Sequence, residues 1–462
     1  MVNNTMIFWS FFLLVYVLYW FVARSPRSRV VLLLTANAAF YASWDVRLIW
    51  VPVVISYVAF WGARAIAATD DPIVRARMLR NTVVIAILLL IAFRYVSFLR
   101  DNLQLLLDWT GASLPEVNLP QAVGVSFMTF AALSYTIDVY RETHPVEPSF
   151  TKLLAGISLF PIAVAGPIAR PKDLLPQLEQ KLVLQREDFQ AALFLIVVGL
   201  FKKTLADAIG VFISGTYDGN GALDTSTSWA AALGYLGQLY ADFSGYSDIA
   251  IGTALLLGIR IPLNFRLPLL AASPVQFWRR WHISLTVWLR DYLFVSLGLR
   301  TPYRSLFLTW VIAGVWHGPT WSMVVWGIYC AVMITGTSFL TRAIPLSKTT
   351  LKRIYVARWL LTLYTWVIAC VILRAPNLGR AWDVICAMHS WNGGFLFVTF
   401  ASMVLAIATC VSGHVLDATA LSGWLTKRRA VNTAVWVVLI LVLLTFVFVI
   451  NPGTTAFIYG SF

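Results

Sequence analysis

The chain has 462 residues, of which 59% are hydrophobic and only 12% charged, with a formal net charge of +14. A soluble domain carries about 25% charged residues, and apolar runs long enough for a bilayer follow one another so closely that no sizeable soluble head fits between them. A nucleic-acid partner is excluded as the meaning of the basic charge; in an oily chain it marks the cytoplasmic loops, with some left to meet an anionic cytosolic substrate.

The first apolar run, Met6–Ala23, is predicted to be a span, and the basic loop Arg24–Arg29 follows it. After a turn at Ser43–Arg47 comes a second basic loop, Arg64–Arg80. Their alternation predicts both in the cytoplasm and the N-terminus outside. The acidic stretch Arg100–Pro120, and Gly215–Ser228 with two Asp and no Lys or Arg, then fall outside.

Two apolar stretches resist reading as straight spans. Leu153–Ile168 holds Gly156, Pro161, Gly166 and Pro167 between two basic loops, so a re-entrant or surface-lying hairpin is expected. Ser305–Thr341 is about twice the length of one span and has basic flanks on both sides, so it must enter and return. The break is predicted at Gly314, Gly318 and Pro319, with His317 near the apex. Later spans are predicted at Val356–Leu373, Phe395–Val411 and Val431–Ile450, with Lys427–Arg429 cytoplasmic. The fold class expected is all-α, a single integral membrane domain over residues 1–462, with about ten crossings plus re-entrant pieces.

Ionisable residues within such a chain are costly and usually functional. Of five histidines, His282 lies in Phe277–Leu285 and His317 in Gly314–Pro319. Acyl transfer from a thioester to a hydroxyl needs a base and an oxyanion donor, and two imidazoles supply both. The base is assigned to His317, whose flanking glycines admit a close approach. His282 is assigned to orient or polarise the thioester carbonyl, although the sequence leaves the two roles interchangeable.

Around His282, the segment Asn264–Arg290 interleaves Arg266, Arg279, Arg280 and Arg290 with Trp278, Trp281 and Trp288. That pattern predicts an interfacial platform at headgroup level. Its Arg279 and Arg280 are candidates for the phosphates of an acyl-CoA donor. Tyr240–Asp248, with Tyr246 and Asp248, must face the bundle interior or water, and is read as a tunnel lining or an interhelical network. Cys330, Cys370, Cys386 and Cys410 make no C-x-x-C pattern, and no H-x-x-x-H spacing occurs, so no metal is expected. No nucleophile elbow, P-loop or dinucleotide fingerprint is present. His144, His389 and His414 read as loop or interfacial residues.

The run Phe277–Arg290 with Asp291-Tyr292-Leu293 resembles the signature of the membrane-bound O-acyltransferases, and within them the bacterial branch that includes the membrane subunit of alginate O-acetyltransferase. Gly124–Phe127, Tyr135–Arg141, Phe160-Pro161, Ala165–Ile168, Asp242–Ile251, Trp316-His317-Gly318 and Phe457-Ile458-Tyr459 fit as well, over roughly residues 120–340 plus the C-terminus. The resemblance implies many helices around a central tunnel, a catalytic histidine at His317 and the second characteristic polar position at His282; Trp281 and Trp316, next to them in the chain, are candidates for the tunnel or donor-binding lining. It implies acetyl-CoA as donor substrate, with no bound cofactor. In that branch the acetyl group passes across the bacterial inner membrane to a periplasmic acetyltransferase partner within a polysaccharide synthesis and secretion complex, giving alginate- or cellulose-type O-acetylation. Departures at Ser296–Leu299 and Ala313–Val315 bear on the partner or acceptor more than on the chemistry. Peptidoglycan O-acetylation is the nearest alternative, and a transporter or flippase with a polar interior the more distant one.

Overall fold

A computed structural model describes residues 5–117, 122–180, 183–219 and 223–392 of the chain. All regular structure among them is helical. The chain divides into two compact units, Met1–Phe189 with Thr253–Pro262, and Gln190–Gly252 with the residues from Leu263 onward.

In the first unit, α1 (Met6–Val17) runs on through a π-turn at Leu18–Val22. α2 (Pro26–Ala42) follows, then α3 (Trp50–Ala67), α4 (Pro72–Arg94) and α5 (Val96–Leu107). Ser25 and Ser28 cap α2 reciprocally, and Asp71 accepts the Ile73 N–H at 2.8 Å to cap α4; each cap is followed by a proline at the first helical turn. These caps start the helices early. Arg27, Arg29, Arg75, Arg77 and Arg80, expected in loops, therefore stand on the opening turns of α2 and α4. The stretch expected as an outer loop from Arg100 likewise begins inside α5.

α6 (Val125–Tyr140), α7 (Phe150–Ile157) and α8 (Pro171–Glu179) complete this unit. The stretch Leu153–Ile168 is broken, as its glycines and prolines predicted: α7 stops at Ile157, and residues 158–169 are non-helical yet buried throughout. Buried irregular backbone needs hydrogen-bond partners. Asn37 of α2 supplies several: its amide donates to Ala155 O (3.2 Å) and Ser158 Oγ (3.0 Å), and its oxygen accepts the Phe160 N–H (2.9 Å). Gly124, at φ +73°, lies so close that an added Cβ would stand 2.1 Å from Ala163 O. On the basic loop between α6 and α7, His144 is a loop residue as expected; burial pushes its imidazole below the ordinary range, against the pull of Asp138 and Glu147.

The second unit is built on two long helices, α9 (Arg186–Asp218) and α10 (Thr225–Leu256). Their backbones meet along a glycine seam. A Cβ on Gly199 would stand 2.7 Å from Gly245 O, one on Gly245 2.7 Å from Gly199 O, and one on Gly252 2.8 Å from Ala192 O. Small residues at such crossings let helices pack backbone to backbone where lipid gives no hydrophobic drive. The short helices α11 (Pro274–Trp278) and α12 (Ile283–Trp288) come next, and α12 continues through a π-turn at Leu289–Phe294 into α13 (Val295–Leu297). α14 (Pro302–His317) and α15 (Trp321–Ala343) form the hairpin expected of Ser305–Thr341, broken at Gly318–Thr320. α16 (Lys348–Arg353), α17 (Tyr355–Arg374) and α18 (Leu378–Met388) follow. α17 matches the span predicted at Val356–Leu373. Cys386 lies on α18.

Among the described residues, four helices are long and apolar enough to cross a bilayer: Val46–Ala67, which includes α3, and α4, α15 and α17. α1 with its π-turn is a shorter apolar helix. The spans expected at Phe395–Val411 and Val431–Ile450, with Cys410, His414, Lys427–Arg429 and Phe457–Tyr459, lie outside the described residues.

The seam yields a prediction. Gly199→Leu or Gly245→Leu forces α9 and α10 apart and costs on the order of 1–3 kcal/mol by overpacking. Gly215→Leu, also on α9 but with nothing within 4 Å of an added Cβ, is neutral or better. Thermal unfolding of the purified protein in detergent reads both; equal midpoints for the three variants would remove the seam from the account.

Candidate active site

The site grows from the irregular chain that leaves α10. Asn264 O accepts the Ile283 N–H at 2.9 Å, and the Arg266 N–H donates to Arg280 O at 2.9 Å, so residues 264–266 and 280–283 run side by side. Ser273 caps α11 by accepting the Gln276 N–H at 3.1 Å. α12 opens at His282, whose backbone is left-handed (φ 44°, ψ 52°). That conformation is costly for a residue with a Cβ and persists only where the surroundings impose it. Here the Ile283–Asn264 bond on one side and the Thr286 N–H bonded to His282 O (3.0 Å) on the other impose it. The turn places the imidazole fully inside, at 0% exposure.

Asn264 is the centre of the local polar network. Its Oδ1 lies 3.0 Å from His282 Nδ1, accepts the Ser284 hydroxyl at 2.7 Å and also takes the Ser284 N–H at 3.3 Å. Its amide nitrogen donates to Ser247 Oγ of α10 at 3.2 Å. The ring of Phe243, one turn earlier on α10, meets the His282 imidazole edge-on at 4.7 Å.

His317 is the last residue of α14, which stops because Gly318 is extended and Pro319 cannot continue a helix. It is buried. One turn before it, Gly314 crosses Gly327 of α15 so closely that a Cβ would stand 2.3 Å from the Gly327 Cα. This crossing brings Trp326 against the histidine, ring centroids 4.9 Å apart and nearly perpendicular, and the ring of the preceding Trp316 lies 5.0 Å away.

Aromatic rings line the surroundings of both histidines. Trp278 lies 4.1 Å from Trp310, Phe277 4.2 Å from Trp366, and Trp281 packs on Phe265 (5.0 Å) and Trp366 (5.4 Å). The indole N–H groups of Trp326 and Trp366 are buried and find no acceptor among the described residues. A small pocket, with room for little more than a water molecule, opens beside this cluster, bounded by Trp278, Trp366 and Cys330. The platform therefore differs from the expected interfacial helix. Trp278, Trp281 and Trp288 face inward, because α11 and α12 are short and separated by the left-handed turn at His282, so they present no single amphipathic face.

The residues singled out from sequence separate into groups. His282, Trp281, His317 and Trp316 are buried in the aromatic cluster region. Arg279 is exposed, and Arg280 is half-buried with its guanidinium on Leu267 O at 3.3 Å. Tyr246 is buried on α10. Asp248 is held by Lys202 of α9 at 2.7 Å, and its neighbour along the helix, Asp242, is held by Lys203. The interhelical network considered for Tyr240–Asp248 is thus present, with both lysines coming from α9.

Sequence reasoning passed over those lysines and Asn264. The lysine signal was visible: two adjacent cations in the middle of a long apolar stretch, which must find anions. Asn264 carried no comparable signal, since one asparagine in a loop says nothing of which imidazole it meets.

A buried ion pair is costly to break and cheap to replace as a unit. Lys203→Met alone or Asp242→Leu alone is expected to cost about 3–5 kcal/mol, while the double substitution recovers most of it. A thermal double-mutant cycle measures this; additive losses would contradict the pairing.

The family model described as "MBOAT, membrane-bound O-acyltransferase family" matches residues 37–375, well beyond the 120–340 core of the motifs. The chain is 35% identical over 379 residues to a probable alginate O-acetylase, AlgI, of Azotobacter vinelandii, an alignment covering 79% of this chain and 74% of that protein. It is 29% identical over 405 residues to the peptidoglycan O-acetyltransferase of Helicobacter pylori, covering 80% and 76%. A teichoic acid D-alanyltransferase of Bacillus subtilis is 29% identical over 245 residues, covering 49% and 61%.

Proposed function

The chain belongs to the membrane-bound O-acyltransferase family and is an acyltransferase, and from that premise we propose that it moves an acetyl group from cytoplasmic acetyl-CoA across a bacterial inner membrane toward the hydroxyl of an exopolysaccharide. The observation that carries this reading is the pair of buried imidazoles, His282 and His317, linked by one continuous cluster of rings that runs from Phe243 through Trp281 and Trp366 to Trp326. Between them they supply a proton acceptor for the alcohol and a hydrogen-bond donor for the thioester oxygen. The indole N–H groups of Trp326 and Trp366 add donors of the kind an oxyanion uses. Arg279, exposed at the platform, and Arg280 are the groups offered to the phosphates of the donor.

In this reading about ten crossings surround a central tunnel. The N-terminus is periplasmic, and the basic turns at Arg24–Arg29 and Arg64–Arg80 are cytoplasmic. A periplasmic acetyltransferase and a polymer synthesis and secretion complex receive the acetyl group. The AlgI relative favours alginate-type polymers, and the Helicobacter relative supports peptidoglycan as a second acceptor class.

His317→Ala, in a strain depending on this chain, is expected to abolish polymer acetylation while the protein still accumulates in the membrane. Base-released acetate from purified polymer measures it. Wild-type acetate content in that strain would remove His317 from the mechanism, and acetate loss confined to peptidoglycan in a deletion strain would select the second acceptor.

A further inference from the structure

We infer that Trp326 is a catalytic residue for acyl transfer: its indole N–H donates to the oxyanion that forms on the thioester carbonyl as His317 takes the proton of the attacking alcohol. The inference deepens the acyltransferase reading above and rests on it.

Trp326 is 2% exposed, and its Nε1 is buried with no acceptor among the described residues. A buried indole N–H ordinarily has one, because losing water without a replacement partner destabilises the folded state. A donor kept unmatched calls for a specific reason. Acyl transfer supplies one. Full negative charge appears on the carbonyl oxygen only during the reaction, so a donor built for that oxygen is unmatched in the protein alone.

Trp366 carries the same unmatched group, but the two indoles are placed differently. Trp366 lines the small pocket, together with Thr362 and Thr365, and one water among those hydroxyls can meet its N–H. Trp326 stands against the base instead. Its ring meets the His317 imidazole at 4.9 Å, nearly perpendicular. A reacting carbon has to lie about 3 Å from both the attacking group and the oxyanion donor. Rings this close put both rims within reach of one such carbon.

The indole is also fixed. α14 and α15 are joined by a short break, and Thr320 caps α15 by accepting the Met323 N–H at 3.3 Å. Gly327, the next residue after Trp326, crosses α14 so closely that a Cβ on it would stand 2.8 Å from the Gly314 Cα and 3.1 Å from Trp310 O. Trp278 and Trp366 pack on the indole at 6.0 and 6.5 Å. Backbone and ring are therefore both held. A donor that need not move when charge appears stabilises the transition state without reorganisation.

The alcohol oxygen bonds to the thioester carbon as its proton passes to His317, and the carbonyl π pair moves onto the oxygen. The Trp326 N–H hydrogen-bonds that oxyanion and keeps its own proton. The pair then rebuilds the carbonyl and the carbon–sulfur bond breaks. The CoA sulfur takes the proton from His317 and leaves as the thiol, so the ester is formed and the imidazole restored.

The test uses the full chain in proteoliposomes with acetyl-CoA and water as acceptor, following CoA-thiol release. Two variants remove the N–H: Trp326→Phe, and replacement of the Trp326 indole by benzothienylalanine, in which sulfur stands for the N–H at nearly the same ring size. Both are expected to lower kcat about 100-fold or more, as loss of one oxyanion donor does, with KM for acetyl-CoA nearly unchanged. The thermal midpoint of the benzothienyl protein is expected to hold or rise, because the folded state loses an unmatched donor. Wild-type kcat in the benzothienyl protein overturns the inference, and so does a kcat loss that comes with a lowered midpoint, the mark of a packing role. If the phenylalanine variant does not fold, the benzothienyl protein alone decides. A wild-type protein that releases no more CoA thiol than His317→Ala would instead sink the acyltransferase reading itself.

Discussion

A polar group taken out of water must find its partner within the chain, and this constraint arranges the molecule. In an apolar environment an unmatched donor or charge costs several kcal/mol. Several irregular or charged features among the described residues are met by a specific side chain. Asn37 satisfies the broken backbone after α7. Lys202 and Lys203 neutralise Asp248 and Asp242. Asn264 satisfies Ser284 and orients His282.

The second device is the glycine crossing. α9 and α10 meet at Gly199 and Gly245, and α14 and α15 at Gly314 and Gly327. The first crossing brings the lysines of one helix within bonding distance of the carboxylates of the other. The second brings Trp326 against His317. Close packing of backbones converts sequence-distant polar and aromatic residues into a fixed constellation, which an acyl-transfer site requires because small misplacements are costly in rate.

Much of this was legible in the sequence, and the rest was hidden for definable reasons. The hairpin at Ser305–Thr341, the break in Leu153–Ile168 and the span at Val356–Leu373 follow from length and from glycine and proline placement. The first turns of α2 and α4 were read as loops because charge was weighed above the Ser25 and Asp71 caps. The inward-facing tryptophans of the platform look interfacial by composition, which reports amphipathic character but not the left-handed turn at His282 that separates α11 from α12. The partners of His282 were invisible because Asn264 is brought to it by tertiary structure, through a left-handed turn that no local pattern announces.

The central claim is that a cytosolic thioester is converted into an ester through the two histidines. Sealed inner-membrane vesicles, oriented so that acetyl-labelled CoA is supplied at the cytoplasmic face, test it most directly. The account predicts base-labile label accumulating at the opposite face with wild-type protein, and none when His282 and His317 are both replaced. Equal transfer in that double variant, or label that crosses only as intact acetyl-CoA, would contradict it.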